Sequence, residues 1–437
     1  MYLYSIPYKD NIHIIYRPLI KLAFLANTAM VNLIYEYSFK SNNQFEKEHK
    51  YSYQFLNNIG YFKPDPYMEL NNPPLHKFLP DTVVLCLTTR CNFRCVYCYA
   101  SAGEKKIKDL NPETGFKAID FVYSSAIKKN KDHFNLCFHG SGEPLMNFDL
   151  LKTMVEYARS KDLPVRASIA TNGYINTTDR FWLLDNIDEI SISLDGISRI
   201  QDNLRPLSSG KGSFDNVFQT IKMMDEKNTQ YGIRMTITDS SIQYLPESIQ
   251  YLCKNTSCTT FQIEPAFSNG RAIKNKQALT KFSGFVKAFV KAYRIASKNN
   301  RHLYYSGARP WLITDSFCKA GERALIVTPD DELTTCYEVS SNDHFLKNQF
   351  FFGNINKKVS IDHKKRNHFF KKIEQRRNIC RSCFNYWHCA GDCPAKTFSN
   401  IRNGHLKIKK RCDLNRAVTK AMIIESIVSG NNLFLQQ

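Results

Sequence analysis

The stretch Cys91–Ala100 reads CNFRCVYCYA and follows the apolar run DTVVLCLTTR (residues 81–90). It places three cysteines at C-x3-C-x2-C. A closed zinc or iron–sulfur site takes four protein ligands as a rule, so three thiols on one strand-to-loop turn read as a metal site with a position left open. The competing reading is a set of small buried core thiols.

Five further apolar stretches resemble the run before the triad: HFNLCFHGSG (133–142), VRASIATNG (165–173), EISISLDG (189–196), YGIRMTIT (231–238) and TFQIEPAF (260–267). Each is continuous enough for a buried parallel strand and is followed by turn chemistry. Helix-compatible segments lie between or after them, including residues 111–130, 148–161, 212–228 and 279–298, the first opened by an Asn111–Pro112 cap. The alternation predicts βαβ units in a parallel sheet or barrel. CNFRC, GSGEP, TNG and SLDG then gather at the C-terminal strand ends, where an α/β barrel carries its site.

With 437 residues the chain holds two or three domains and needs no covalent staple, so its 14 cysteines require another explanation. The opening MYLYSIPYKDNIHIIYRP lacks the apolar run of a secretory signal, and the longest apolar region is broken by Lys21 and Asn27. A cytoplasmic protein is expected, with cysteines as metal ligands and no membrane partner. The net charge of +20 favours an acidic partner. The lysines are spread out, and short runs such as KIKKR (407–411) read as solvated faces, which argues against nucleic acid as the main partner.

Taken together, Cys91, Cys95, Tyr97 and Cys98 resemble the C-x3-C-x-aromatic-C signature of the radical S-adenosylmethionine (SAM) superfamily. The resemblance implies a partial (β/α)6 TIM-like barrel and a [4Fe-4S] cluster on the three cysteines, whose open iron is chelated by SAM. It implies that Tyr97 lies beside the adenine. GSGEP then corresponds to a Gly-Gly-Glu-Pro motif in which Gly140, Ser141, Gly142 and Glu143 hold the methionine amino group, with Ser141 in place of the usual Gly. SIATNG places Ser168 and Asn172 near the ribose, and SISLDG offers Ser193 and Asp195. The implied chemistry is reductive cleavage of SAM to a 5′-deoxyadenosyl radical, driven by a low-potential cluster.

The C-terminal part carries Cys318, Cys336, then CRSCFNYWHCAGDC with Cys380, Cys383, Cys389 and Cys393, and finally Cys412. Alone, the C-x2-C-x5-C-x3-C core suggests structural zinc. Behind a radical SAM core, the seven cysteines resemble a SPASM extension, which implies two auxiliary iron–sulfur clusters of the [4Fe-4S] type. Family topology assigns Cys318, Cys336 and Cys393 to the first, its fourth ligand unassigned, and Cys380, Cys383, Cys389 and Cys412 to the second. Asp331 stands where the family has Gly. Related sulfatase maturases carry a proton-accepting Asp after the cysteine matching Cys336; this chain has Tyr337 and Glu338, weak candidates for a substrate acid or base. Cys86, Cys137, Cys253 and Cys258 read as hydrophobes in or beside strands, and His388 as a packed or capping residue.

Residues 11–39 suggest two strands and a helix capped near Asn27 or Thr28, followed by a second helix stopped by Gly60. This loosely resembles a small winged-helix element that adds a leader peptide to a sheet edge, against the alternative of a simple packing extension. The expected organisation is an N-terminal α+β region (1–78), a radical SAM core (79–300) and a loop-rich SPASM domain (301–437). The expected function is oxidative crosslinking of a ribosomally made peptide through thioether or carbon–carbon bonds, with flavodoxin or ferredoxin as electron donor. The alternatives are a maturase acting on a protein residue and a zinc-dependent nucleic-acid-binding protein.

Overall fold

The six apolar runs are strands that pair in chain order. In the computed structural model, which describes residues 2–37, 42–66, 78–104, 106–398 and 408–429, they form β4 (Thr82–Leu85), β5 (Phe134–Phe138), β6 (Val165–Thr171), β7 (Glu189–Ser193), β8 (Tyr231–Ile237) and β9 (Thr260–Pro265). All neighbouring pairs are parallel. Helices Pro112–Lys128, Phe148–Arg159, Thr177–Asn186, Phe214–Glu226 and Leu245–Asn255 fill the crossovers. The Asn111 side chain caps the first of these at the Glu113 amide, 3.0 Å away.

Alternation along the strands separates two faces. On β8 the odd positions from Tyr231 to Ile237 are buried, and Gly232, Arg234 and Thr236 between them are half-buried. The buried set joins the main core with the crossover helices, which places the other set on the inner, concave side.

The barrel is not closed, because β4 and β9 do not pair. β9 continues into β10 (His302–Tyr304), while β4 pairs in parallel with β11 (Ala324–Val327). From β11 the sheet turns antiparallel through β12 (Glu332–Thr334), β13 (Phe351–Ile355) and β14 (Val359–Ile361). The C-terminal domain is thus fused to the barrel through one 11-stranded sheet. A buried Asp81 carboxylate clamps this junction, accepting two bonds from the Arg323 guanidinium at 2.7 and 3.1 Å.

The N-terminal region is a separate antiparallel sheet, β1 (Tyr4–Lys9), β2 (Ile12–Arg17) and β3 (Leu22–Asn27), with helices Thr28–Tyr37, Asn42–Glu48 and Lys50–Asn58. Two of its strands and the helices at 28–37 and 50–58 match the sequence expectation, with Asn27 capping the Met30 amide at 2.9 Å and Gly60 at φ +74°. β1 and the short helix 42–48 were not foreseen. One sheet face packs on its own helices through Ile15, Phe24 and Ala26. The other, with Ile6, Ile14 and Tyr16, packs on Ile423 of helix Ile408–Val428. The expected boundary at residue 78 borders residues 67–77, and Lys407 of the KIKKR run lies outside the described residues.

Candidate active site

The loop after β4 carries the triad, and backbone bonds from distant segments fix it. Arg94 N donates to Pro206 O (2.7 Å), Val96 N to Leu204 O (2.9 Å), and Arg271 N to Cys98 O (2.9 Å). The Arg94 guanidinium clasps the loop from within, donating to the carbonyls of Cys91, Phe93 and Gly103 at 2.8–2.9 Å. Two glycines let other loops approach: a β-carbon on Gly142 would lie 2.3 Å from Arg90 O, and one on Gly270 2.3 Å from Cys98 O. Any side chain at either position would push the loops apart.

Burial pushes the Cys91 thiol up to about 12, and the neighbouring Cys95 and Cys98 sulfurs add to the shift. Burial likewise raises Cys95, to about 11, with the Arg205 guanidinium pulling the other way. Cys91 and Cys95, buried and costly to ionise side by side, suit a bound metal centre, which would draw them into the thiolate form. Among the described residues, no three Cys, His, Asp or Glu side chains are gathered as around a single metal ion. A cubane presents a different iron to each thiolate and so asks for wider spacing.

Glu143 lies at the end of β5 and is buried. Its Oε1 accepts from Thr171 Oγ1 (2.6 Å) and Leu145 N (3.2 Å), and its Oε2 from Asn172 N (2.7 Å). Burial raises its pKa and these bonds oppose the rise. By this count Oε2 keeps an acceptor site for an ammonium donor. Ser141 adopts φ +55° and Asp331 φ +60°, the left-handed region that favours glycine.

A second network ties β7 to the triad. Buried Asp195 accepts from the Tyr97 hydroxyl and, at 2.9 Å, from Thr236 N. Arg205 Nη1 donates to the same Tyr97 oxygen at 2.9 Å. Arg205 is buried, faces Phe93 and the Cys95 thiol, and leaves its Nε without a hydrogen-bond partner. Sequence reading missed Arg205 and Thr171, because neither sits in a spacing pattern. Of the predicted residues, Asn172 donates to Asn92 Oδ1 (2.8 Å) and caps the Tyr174 amide (2.9 Å). Ser168 lies deeper on β6, 2.7 Å from Cys137 Sγ, and Ser193 lies opposite Arg234.

In the C-terminal domain the thiols fall into two groups. Cys318 and Cys393 each raise Cys336, whereas Cys412 and Cys383 raise Cys380, and Cys412 raises Cys389. Donors reach the sulfurs of both: Ala320 N to Cys318 (3.4 Å), Arg376 Nη2 to Cys412 (3.2 Å) and Asn415 Nδ2 to Cys389 (3.6 Å). Between the groups, buried Asp392 and Arg411 form a bidentate pair at 2.5 and 2.9 Å. Glu338 is tied to Lys396, while the Tyr337 ring packs on His139 with centroids 4.8 Å apart. His388 is buried, its ring nitrogens bonded to Leu312 O (2.8 Å) and the Tyr16 hydroxyl, as a packed residue should be. All 14 cysteines are free thiols. Cys86, Cys137 and Cys258 lie on or beside strands, but Cys253 sits on helix Leu245–Asn255, whose apolar face imitates a strand run.

Residues 85–252 match the Radical SAM superfamily. An uncharacterized protein of Methanocaldococcus jannaschii is 31% identical over 39% of this chain and 57% of its own length. The sporulation killing factor maturation protein SkfB of Bacillus subtilis is 25% identical over 61% of this chain and 64% of its own. The matches thus span less than two thirds of these relatives. Among solved structures, native anSMEcpe with bound AdoMet superposes with a TM-score of 0.61 at 16% identity, covering 80% of this chain and 99% of that one. Streptococcus suis SuiB bound to precursor peptide SuiA superposes at 0.52 and 14%, covering 91% and 97%. Residues 85–252 therefore carry a radical SAM domain, its strand-end motifs in order on an open parallel barrel.

Proposed function

We propose that the chain is a radical SAM/SPASM maturase that forms an oxidative crosslink in a ribosomally made peptide. The observation that carries this reading is the convergence of three thiol groups and two buried polar networks around one open barrel. When bound, the triad cluster with SAM supplies a low-potential electron and hydrogen-atom abstraction, and the auxiliary clusters supply an outlet for the second electron.

The chain's own residues bind and orient. The remaining acceptor site of Glu143 suits the ammonium of SAM, and the partnerless Nε of Arg205, beside Cys95, suits its carboxylate. Asp195 holds Tyr97 at the adenine position, and the Gly142 and Gly270 contacts keep the loops closed against water. A peptide substrate fits the maturation role that SkfB's name states and the precursor peptide in the SuiB complex.

The N-terminal sheet supports leader recognition by strand addition. Its β1 edge is blunted by Pro7 and a register irregularity, whereas β3 is regular and has no backbone partner beyond β2 among the described residues. We assign β3 as the edge a leader would extend. Tyr337 in place of an acidic residue weighs against the sulfatase-type alternative.

Anaerobic reconstitution tests the reading. With dithionite it should yield about 12 irons per chain, four for each of three cubanes, together with 5′-deoxyadenosine from SAM. Zinc without iron or sulfide, and intact SAM, would reject it.

A further inference from the structure

A cavity of about 590 Å³ opens on the inner face of the barrel, lined by His139, Ser191, Arg234, Gln262 and Tyr337 among others. Register sets Arg234 and Gln262 of this lining in one row with two flanking residues: Ser193 on β7 lies opposite Arg234 on β8, Arg234 opposite Gln262 on β9, and Gln262 opposite Tyr304 on β10. Most of the polar groups around this row satisfy one another. Tyr304 donates to Gln262 Oε1 (3.2 Å), Gln262 Nε2 to Glu264 Oε1 (2.9 Å), and Ser306 to Glu264 Oε2 (2.9 Å).

Arg234 is the exception. It is half-buried, and its guanidinium makes no hydrogen bond or ion pair with any described residue. Its charge is felt at His139 in the lining and at Tyr99, Tyr304 and Glu338 outside it. Glu338, the acid among these, gives its ion pair to Lys396. A half-desolvated cation with no counter-ion is costly, and the cost returns when a ligand brings an anion to it. The guanidinium fork matches a carboxylate in two-point geometry.

Resting on the peptide-maturase reading, we propose that Arg234 anchors a carboxylate of the substrate, so that the segment entering the barrel carries an acidic group beside the residue attacked. The anchor lies on the barrel's inner wall, in a cavity that also takes in Ser168, Asp188 and Glu189 but neither Glu143, Asn172 nor Asp195. His139 gains from the same event: burial and the Arg234 charge press its imidazole down to about 3, and a substrate carboxylate on Arg234 relieves the second of these causes.

The test is phenylglyoxal labelling of Arg234 in the full-length, reconstituted protein, read by mass spectrometry of its proteolytic peptide. Three probes are compared in the presence of SAM: acetyl-Gly-Glu-Gly-amide, acetyl-Gly-Gln-Gly-amide and acetyl-Gly-Gln-Gly with a free C-terminus. One carboxylate bond to a guanidinium predicts about tenfold better protection by an acidic probe than by the neutral amide. Protection by the first probe assigns a side-chain carboxylate, and by the third a C-terminal one. Equal labelling with all three, no labelling at all, or full protection by SAM alone would overturn the proposal. Labelling needs no turnover, so protection without SAM cleavage would sink the maturase reading alone, and cleavage without protection would sink the anchor alone.

Discussion

Arg205 is the most consequential residue that the sequence left unmarked. Its guanidinium is held by Tyr97 on one side and left open on the other, beside Cys95. Arg205→Gln should weaken SAM binding by roughly ten- to hundredfold, the worth of a charge-assisted hydrogen bond, in equilibrium dialysis, with iron content kept. His139 makes a prediction of opposite character. Its folded pKa is depressed to about 3, against about 6.5 in an unfolded chain. Below pH 6.5 the unfolded state takes up a proton that the folded state refuses, so the stability is present above about 6.5 and lost as pH falls toward 3. His139→Gln should flatten the fall of Tm between about pH 6.5 and 4 by one proton's worth. Legibility at this scale followed locality. The cysteine triad could be read because its ligands lie within eight positions of chain, whereas Arg205 and Thr171 acquire meaning only when β6 and β7 meet the β4 loop. Ser141 and Asp331, departures from the family pattern, both sit in the left-handed region that favours glycine.

Among the elements, the six barrel strands were legible because they are apolar runs closed by turn residues. β10 to β14 were not: they are three to five residues long, too short to show a period. β1, interrupted by Pro7, escaped for the same lack of periodicity. The helix Ile408–Val428 holds two regions together, packing Ile423 under the N-terminal sheet and placing Arg411 and Cys412 in the cluster domain. Its Arg411–Asp392 pair is buried on both sides, at 10% and 1% side-chain exposure. Arg411→Ala leaves Asp392 charged and unpaired, which should cost about 3 kcal/mol or more. Calorimetry should show the loss, with reduced auxiliary iron because Asp392 precedes Cys393.

At the scale of the whole molecule, the cysteines explain the architecture. Seven cysteines spread along residues 318–412 lie in a loop-rich domain that one continuous sheet joins to the barrel. The net charge of +20 belongs to the sequence as a whole; it favours an acidic partner, as Arg234 inside the barrel does. No helix among the described residues is long and apolar enough to cross a membrane. The peptide, the residue attacked and the bond made were not legible, because they depend on a partner whose sequence lies elsewhere.

The central claim is tested most directly by mass. Small cysteine- or aromatic-containing peptides encoded beside the gene are coexpressed anaerobically with the wild-type protein and with Cys95→Ala. A loss of about two mass units per link, the two hydrogens removed by an oxidative crosslink, seen only with intact Cys95, is the predicted result. Unchanged masses in every peptide, from a protein that nonetheless cleaves SAM, would contradict peptide maturation.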